Sequence, residues 1–320
     1  MSNINDCDAN INQFEYLEQH QCHKNKSINN FKFHKFLKGT VKKSVENCGT
    51  VLGFNLYQNT QDFDVLRRTL IGANFCKHRY CIMCAWRKAK QLQLQTLATI
   101  RKYEQEYNKR YCYLFLTLTV PNPKISDLNS TIKRMSKAFK KLSERQEFNR
   151  AVKGFIRAIE FIGDHTKSGM AHPHYHCLLV VERYYFTSRD YITQERWKAL
   201  WSECYGEDVQ QVRIQKIKPK KMKDGTVLPA LISGVLEVIK YSVSLESMNR
   251  LSDADLRELL KQTRGVRQFN RGGFLKDLVE DIGEIDSTVW KLIGEEWYRW
   301  SKNKYVLTNM HDDKDLVVEE

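Results

Sequence analysis

The chain has 320 residues, 42% hydrophobic and 11% aromatic, enough to bury at least one core with smaller attachments. Its net charge of +14, from 52 Lys and Arg against 38 Asp and Glu, points to a polyanionic partner, nucleic acid first, because each basic group set on a phosphate releases counterions. No run of about 18 apolar residues occurs and MSNINDCDANINQ is polar, which argues against a membrane span or secretory leader; the expected compartment is the cytoplasm, with no membrane partner.

Residues 1–45 are a polar and basic N-terminal tail with the basic stretch FKFHKFLKGTVKK, of which residues 1–30 are rich in Asn, Gln and His without a convincing period and are expected to be mobile or irregular cover. Residues 46–110 form a Cys-rich segment followed by a long helix. CKHRYCIMC sets Cys76, Cys81 and Cys84 in a C-x4-C-x2-C pattern, with Cys48 as the fourth thiolate and His78 as its rival. With nine cysteines in an intracellular chain, that spacing favours a structural Zn²⁺ site over a disulfide framework. From Ala85 to about Asn108, Leu94, Leu97 and Ile100 recur at helical intervals.

Residues 111–250 read as the main domain. YCYLFLTLTV (111–120) is a strand stopped by Pro121 and Pro123, and SDLNSTIKRMSKAFKKLSER (126–145) a helix with Ile132, Met135, Phe139 and Leu142 as its apolar stripe. Strands follow at 154–163 and 174–182, then a helix at 193–205, a strand at 209–217 and a helical period over 234–246. The order predicts an α+β fold, a four-to-five-stranded antiparallel sheet of split βαβ type with flanking helices on one face and the other open to a ligand. Residues 251–320 are expected to be a helical, charged C-terminal extension with an acidic tail, in which RGGFLKDL turns into another helix.

AHPHYHCLLVVE (171–182) places His172, His174 and His176 at every second position, and a period of two sends them to one face of a strand. In the neighbouring strand Glu160 interrupts an apolar stretch, where burial without a partner costs several kcal/mol. Antiparallel pairing of the two strands lets Glu160 join His174 and His176. Two imidazoles and a carboxylate leave open positions on a divalent ion, as a catalytic centre requires. His172 is either a third ligand or, the favoured reading, a hydrogen-bond partner at the strand's start.

Glu237 and Tyr241 are four apart, one helical face. A phenol beside a metal-bound phosphate can attack it, and a neighbouring carboxylate can activate water or a 3′-hydroxyl to resolve the link; the plainer reading is a solvated acid next to a half-buried ring. Arg87 and Lys88 after the cysteine cluster, and Lys137, Lys140 and Lys141 on the helix after FLTLTVPN, are candidate phosphate contacts, against the plainer reading of a solvated helix face.

Taken together and in order, the Cys-rich segment, FLTLTVPN (115–122), RAIEF with Glu160, His174-Tyr175-His176, LEVIKY and RGGFLKDL resemble the initiator proteins of rolling-circle plasmids, a branch of the HUH endonucleases, over about residues 45–280. The resemblance implies that Tyr241 nicks one strand at the plasmid's double-strand origin through a 5′-phosphotyrosine, freeing a 3′-hydroxyl for the host polymerase, with a host helicase as a further partner. It implies Mg²⁺ or Mn²⁺ on Glu160, His174 and His176, and Glu237 promoting hydrolysis at termination. Relatives carry Lys three residues after the tyrosine where this chain has Ser244, so a phosphate contact there falls to another residue such as Lys240. A related transposase or relaxase, and a non-catalytic zinc-stabilised DNA-binding regulator, are the alternatives.

Overall fold

The computed structural model describes residues 17–163, 166–222, 225–240, 245–279 and 285–308. The chain divides into two compact units, Met1–Leu94 with Asp281–Glu320, and Gln95–Glu280. In chain order, the first unit contributes α1 (Leu17–Ile28), α2 (Phe31–His34), α3 (Gly39–Glu46), β1 (Val51–Asn59) and β2 (Leu66–Ala73). The division falls inside α4 (Ile82–Glu106). The second unit then runs through β3 (Tyr111–Thr119), α5 (Leu128–Glu144), α6 (Gln146–Ala151), β4 (Val152–Glu160), β5 (His174–Glu182), α7 (Gln194–Tyr205) and β6 (Val212–Lys216). After the short pair β7 (Lys220–Lys221) and β8 (Val227–Leu228) come α8 (Ala230–Val238), α9 (Leu245–Arg250), α10 (Asp253–Gln262) and β9 (Phe269–Gly273). The strands β10 (Trp290–Ser301) and β11 (Lys304–Thr308) return to the first unit.

The second unit is built on a five-stranded sheet in the order β6-β3-β5-β4-β9, antiparallel throughout. Its strands are apolar on both sides because both faces are covered in part. On one face α5 lays down the stripe the sequence predicted, with Ile132, Met135, Phe139 and Leu142 buried. There Phe139, Phe148, Phe155, Tyr175, Trp197 and Trp201 form an aromatic core. Thr193 caps α7 by accepting from the Arg196 amide, and Gly206 ends it with a left-handed φ of 81°. On the opposite face, the side of His174 and His176, α8 comes close through Gly234, where a Cβ would lie 3.1 Å from Leu178 Cδ1.

The first unit holds a four-stranded antiparallel sheet, β11-β10-β1-β2. Its core contains Leu52, Phe54, Tyr298 and Tyr305. The Trp297 ring sits where a Cβ on Gly53 would be, 2.7 Å from the indole.

Several expectations are corrected. Part of the supposed polar tail is ordered helix: α1 buries His20, His23, Lys24 and Ser27, with His23 stacked on Trp86 at 4.3 Å and His20 edge-on to the same ring. Imidazoles used as flat rings carry no apolar period, so the pattern was invisible. Among the described residues beyond α10 the C-terminal extension is strand rather than helix, and its acidic tail lies outside the described residues. RGG lies in β9, where a Cβ on Gly273 would overlap the Lys153 carbonyl and one on Gly272 the Phe155 ring, so these glycines mark close strand pairing, not a turn. The helical period over 234–246 breaks at Val238; Ile239 leaves helical geometry at φ −96°, ψ 69°, after a β-branched Val-Ile pair of low helix propensity. Cys22 is disulfide-bonded; Cys112, Cys177 and Cys204 are free and buried. No helix among the described residues is long and apolar enough to cross a membrane.

Candidate active site

The β4–β5 ladder places Glu160 directly opposite His174. Glu160 Oε2 lies 3.2 Å from His174 Nε2 and 3.5 Å from His176 Nε2, and the two imidazole nitrogens are 3.0 Å apart. The three ligand atoms all fall within 4.8 Å of one another, so this group can hold a metal ion. The donor set, one hard oxygen and two borderline nitrogens, suits a divalent cation and leaves coordination positions free.

Neighbouring groups fix the rings. His174 Nδ1 donates to the His172 carbonyl at 2.8 Å; a carbonyl only accepts, so Nδ1 carries a proton and Nε2 is the atom turned toward Glu160 and the centre. Thr117, paired with His176 across β3 and β5, brings its hydroxyl within 3.4 Å of His176 Nδ1. The Phe115 ring stacks on the same imidazole at 5.1 Å.

His172 stands outside this ligand group. Its Nδ1 is 2.6 Å from Asn122 Oδ1, and its amide donates to the Phe161 carbonyl. Burial, then the neighbouring His174, pushes its pKa down. Asn122, the last residue of FLTLTVPN, was not singled out in the sequence; only its place between Pro121 and Pro123 marked it.

From the end of α8, Lys240 reaches over the centre. Its Nζ is 3.4 Å from Glu160 Oε1 and 3.4 Å from Glu237 Oε1. Burial alone would raise the Glu160 carboxyl's pKa, but hydrogen bonds to His174 and His176 and the charge of Lys240 hold it well below the usual carboxylate range. Burial works the other way on Lys240 and is outweighed by Glu160 and Glu237, so its ammonium is held charged. Glu237 thus joins the centre through Lys240. Tyr241 lies outside the described residues, one position beyond Lys240.

The remaining basic candidates lie elsewhere. Arg87 and Lys88 belong to the first unit, Arg87 with its guanidinium 5.8 Å from the Phe75 ring centroid. Lys137, Lys140 and Lys141 are exposed on α5, on the opposite face of the sheet from the imidazoles.

The first unit carries the second ligand group, Cys48, Cys76, Cys81 and Cys84. Sulfur separations of 3.5 Å for Cys48 to Cys84 and to Cys81, and 3.6 Å for Cys76 to Cys84, approach the about 3.8 Å that tetrahedral zinc–thiolate geometry sets. Backbone amides of Cys76, Lys77 and His78 point at Cys48, Cys84 and Cys76 sulfurs respectively, the charge-stabilising donors expected around thiolates. Lys77 takes a left-handed φ of 56° to make that turn. His78 is not a ligand: its Nδ1 accepts from the Tyr80 amide at 3.2 Å. Below the cluster, Lys24 Nζ donates to the Cys48 carbonyl at 2.6 Å, tying α1 to it. This group can bind a metal such as zinc.

Proteins of similar sequence are known from several bacteria. A relative named Protein rep from Staphylococcus aureus is 35% identical over 216 residues, 66% of this chain and 86% of its own length. Similar proteins of that name occur in Bacillus amyloliquefaciens, 29% identical over 78% of this chain and 75% of that one, and in a Bacillus species, 30% identical over 75% and 80%. No solved structure matches. Residues 67–309 match the Rep_1 family, described as replication protein, and the chain belongs to that family.

Proposed function

We propose that the protein initiates rolling-circle replication of a plasmid by nicking and rejoining one DNA strand at the double-strand origin, with Tyr241 as nucleophile. The observation that carries this reading is the bridge from Lys240 to Glu160 at 3.4 Å. Tyr241 follows Lys240 directly in the chain, and this order, with Lys240 already at the ligand group, supports Tyr241 as the nucleophile. The order of strands and helices in the second unit supports the split βαβ reading of an HUH endonuclease.

Glu160, His174 and His176 would hold Mn²⁺ or Mg²⁺, and two imidazoles favour Mn²⁺. When bound, the cation polarises the scissile phosphate and neutralises charge that develops on it. The Tyr241 oxygen forms a bond to phosphorus as its proton passes to water, the bond to the 3′ oxygen breaks, and that oxygen takes up a proton from water to become the 3′-hydroxyl, so no net proton is gained or lost. One phosphodiester replaces another, so the energy of the broken link is kept in the phosphotyrosine. Lys240 supplies a fixed positive charge beside the phosphate, the role the resemblance left vacant at Ser244. Glu237, 37% exposed, accepts a proton from water or an incoming 3′-hydroxyl when the link is resolved. Cys48, Cys76, Cys81 and Cys84 hold Zn²⁺ for structure. Host helicase and polymerase would act on the freed end, in the bacterial cytoplasm.

The test is incubation of the full chain with a supercoiled plasmid carrying its origin, with Mn²⁺ or with EDTA. A relaxed product and a covalent peptide–DNA adduct at Tyr241, both only with metal, are expected; nicking without an adduct, or an adduct elsewhere, overturns the proposal.

A further inference from the structure

On the sheet face opposite the imidazoles lies a cavity of about 880 Å³, bounded by α5, the far-side residues of β4 and β5, and the turn between α10 and β9. Its rim is basic. Lys133, Lys137 and Lys140 line one side and Arg264, Arg267 and Arg271 the other, with no Asp or Glu among the lining residues. All six are exposed.

The floor is unusual. Arg157 is only 7% exposed, with its guanidinium 4.4 Å from the Phe139 ring centroid and 4.2 Å from that of Tyr175. Among the described residues Nη1 has no hydrogen-bond partner. A buried cation with an unmatched donor is costly unless an anion completes it, and a planar guanidinium suits phosphate oxygens.

We propose that this groove is a second DNA-binding site, which grips the phosphodiester backbone of duplex DNA on the face of the sheet away from the nicking centre. The proposal rests on the reading that the protein acts on DNA. Lys133, Lys137 and Lys140 span about 10 Å of helix, the length over which one strand presents about three phosphates. A mononucleotide fits the site less well, because Arg157 already occupies the ring faces of Phe139 and Tyr175 on which a base would stack. The contacts are to phosphate, so they position the duplex without reading its sequence. Duplex flanking the nick would thus be held by one face while the other handles the cleaved strand.

The experiment measures binding of the full chain to a fluorescent duplex of arbitrary sequence between about 50 and 200 mM salt. In the triple variant Lys133→Ala, Arg264→Ala, Arg267→Ala, affinity should fall at least about tenfold and the slope of log K against log salt should shrink by about 2 to 3. The charge-keeping triple Lys133→Arg, Arg264→Lys, Arg267→Lys should retain the slope, which separates charge from folding. A slope unchanged in the alanine triple, or lost equally in the charge-keeping one, overturns the proposal. So does displacement of the duplex by sub-millimolar ATP, which would assign the groove to free phosphate compounds. Cleavage of single-stranded origin DNA by the unaltered protein is scored separately: its absence beside an intact slope difference removes the nicking reading and leaves the groove standing.

Discussion

Glu160 and His174 are cross-strand partners, register neighbours in the β4–β5 ladder with 3.2 Å between Oε2 and Nε2. A β-ladder, rather than a loop, therefore sets the spacing of the ligand group. Pairs of this kind sit at a fixed Cβ separation, so the site is preorganised before any ion or DNA arrives. Replacing Glu160 by Ala removes the one anionic ligand and leaves Lys240 beside two imidazoles. Mn²⁺ affinity is expected to drop at least about a hundredfold, measured by calorimetry; a change under threefold would show that the ion sits elsewhere.

Asn122 acts one step back. It holds His172 at 2.6 Å, and the His172 carbonyl holds His174 Nδ1 at 2.8 Å. Asn122→Ala should weaken Mn²⁺ binding by about 10-fold while leaving the melting temperature within a few degrees. Asn122→Asp, which keeps the acceptor oxygen, should restore most of the affinity.

Tyr241→Phe should abolish the covalent DNA adduct and leave Mn²⁺ affinity intact, because Glu160, His174 and His176 stay in place. Denaturing gels with end-labelled origin DNA read the adduct directly; persistence of the band would move the nucleophile to another tyrosine.

Replacing Cys81, one of the four clustered cysteines that can bind a metal such as zinc, should be felt by the first unit as a whole. Thiolate zinc sites are worth about 10 kcal/mol or more of folding free energy, and α1 is anchored through Lys24 to the Cys48 carbonyl. Cys81→Ala is expected to abolish stoichiometric zinc in the purified protein and to expose the amides of β1 to hydrogen exchange. Protected β1 amides in a zinc-free variant would show that the cluster is dispensable.

Cys177 gives a pH prediction. Complete burial pushes its thiol up to about 12, against about 8.5 in the unfolded chain. Folding thus favours the neutral thiol: the contribution is full below about pH 8.5 and is lost as pH rises towards 12. Cys177→Ala should flatten the alkaline fall in stability over that window, followed by urea denaturation; an unaltered profile would refute the assignment. At pH 8 the native thiol should resist iodoacetamide.

The sequence shows the ligand group because period-two histidines facing an acid in an apolar strand are costly to bury unless they bind an ion. The cysteine spacing is similarly legible, since three sulfurs lie within nine residues. What it hides is equally physical. Lys240 is legible only as a stand-in phosphate contact for Ser244, and only the end of α8 sets it between two carboxylates. Arg157 sat in an ordinary strand, and its burial under Phe139 and Tyr175 depends on how α5 crosses the sheet. In β10, Leu292 and Ile293 are exposed while Trp297 fills the space over Gly53, so inward and outward positions do not follow simple alternation, and the strand reads as helix.

The glycines of β9 reach further than their own turn of chain. By lying flush on β4 they make it an interior strand, with β6 and β9 as the rims of the sheet. Deleting residues 269–273 alone would keep Glu160, His174 and His176 yet expose the backbone amides and carbonyls of the glutamate-bearing strand. Such a naked rim invites a second chain to zip onto it, so the mutant's first defect would be self-association and precipitation rather than faulty chemistry.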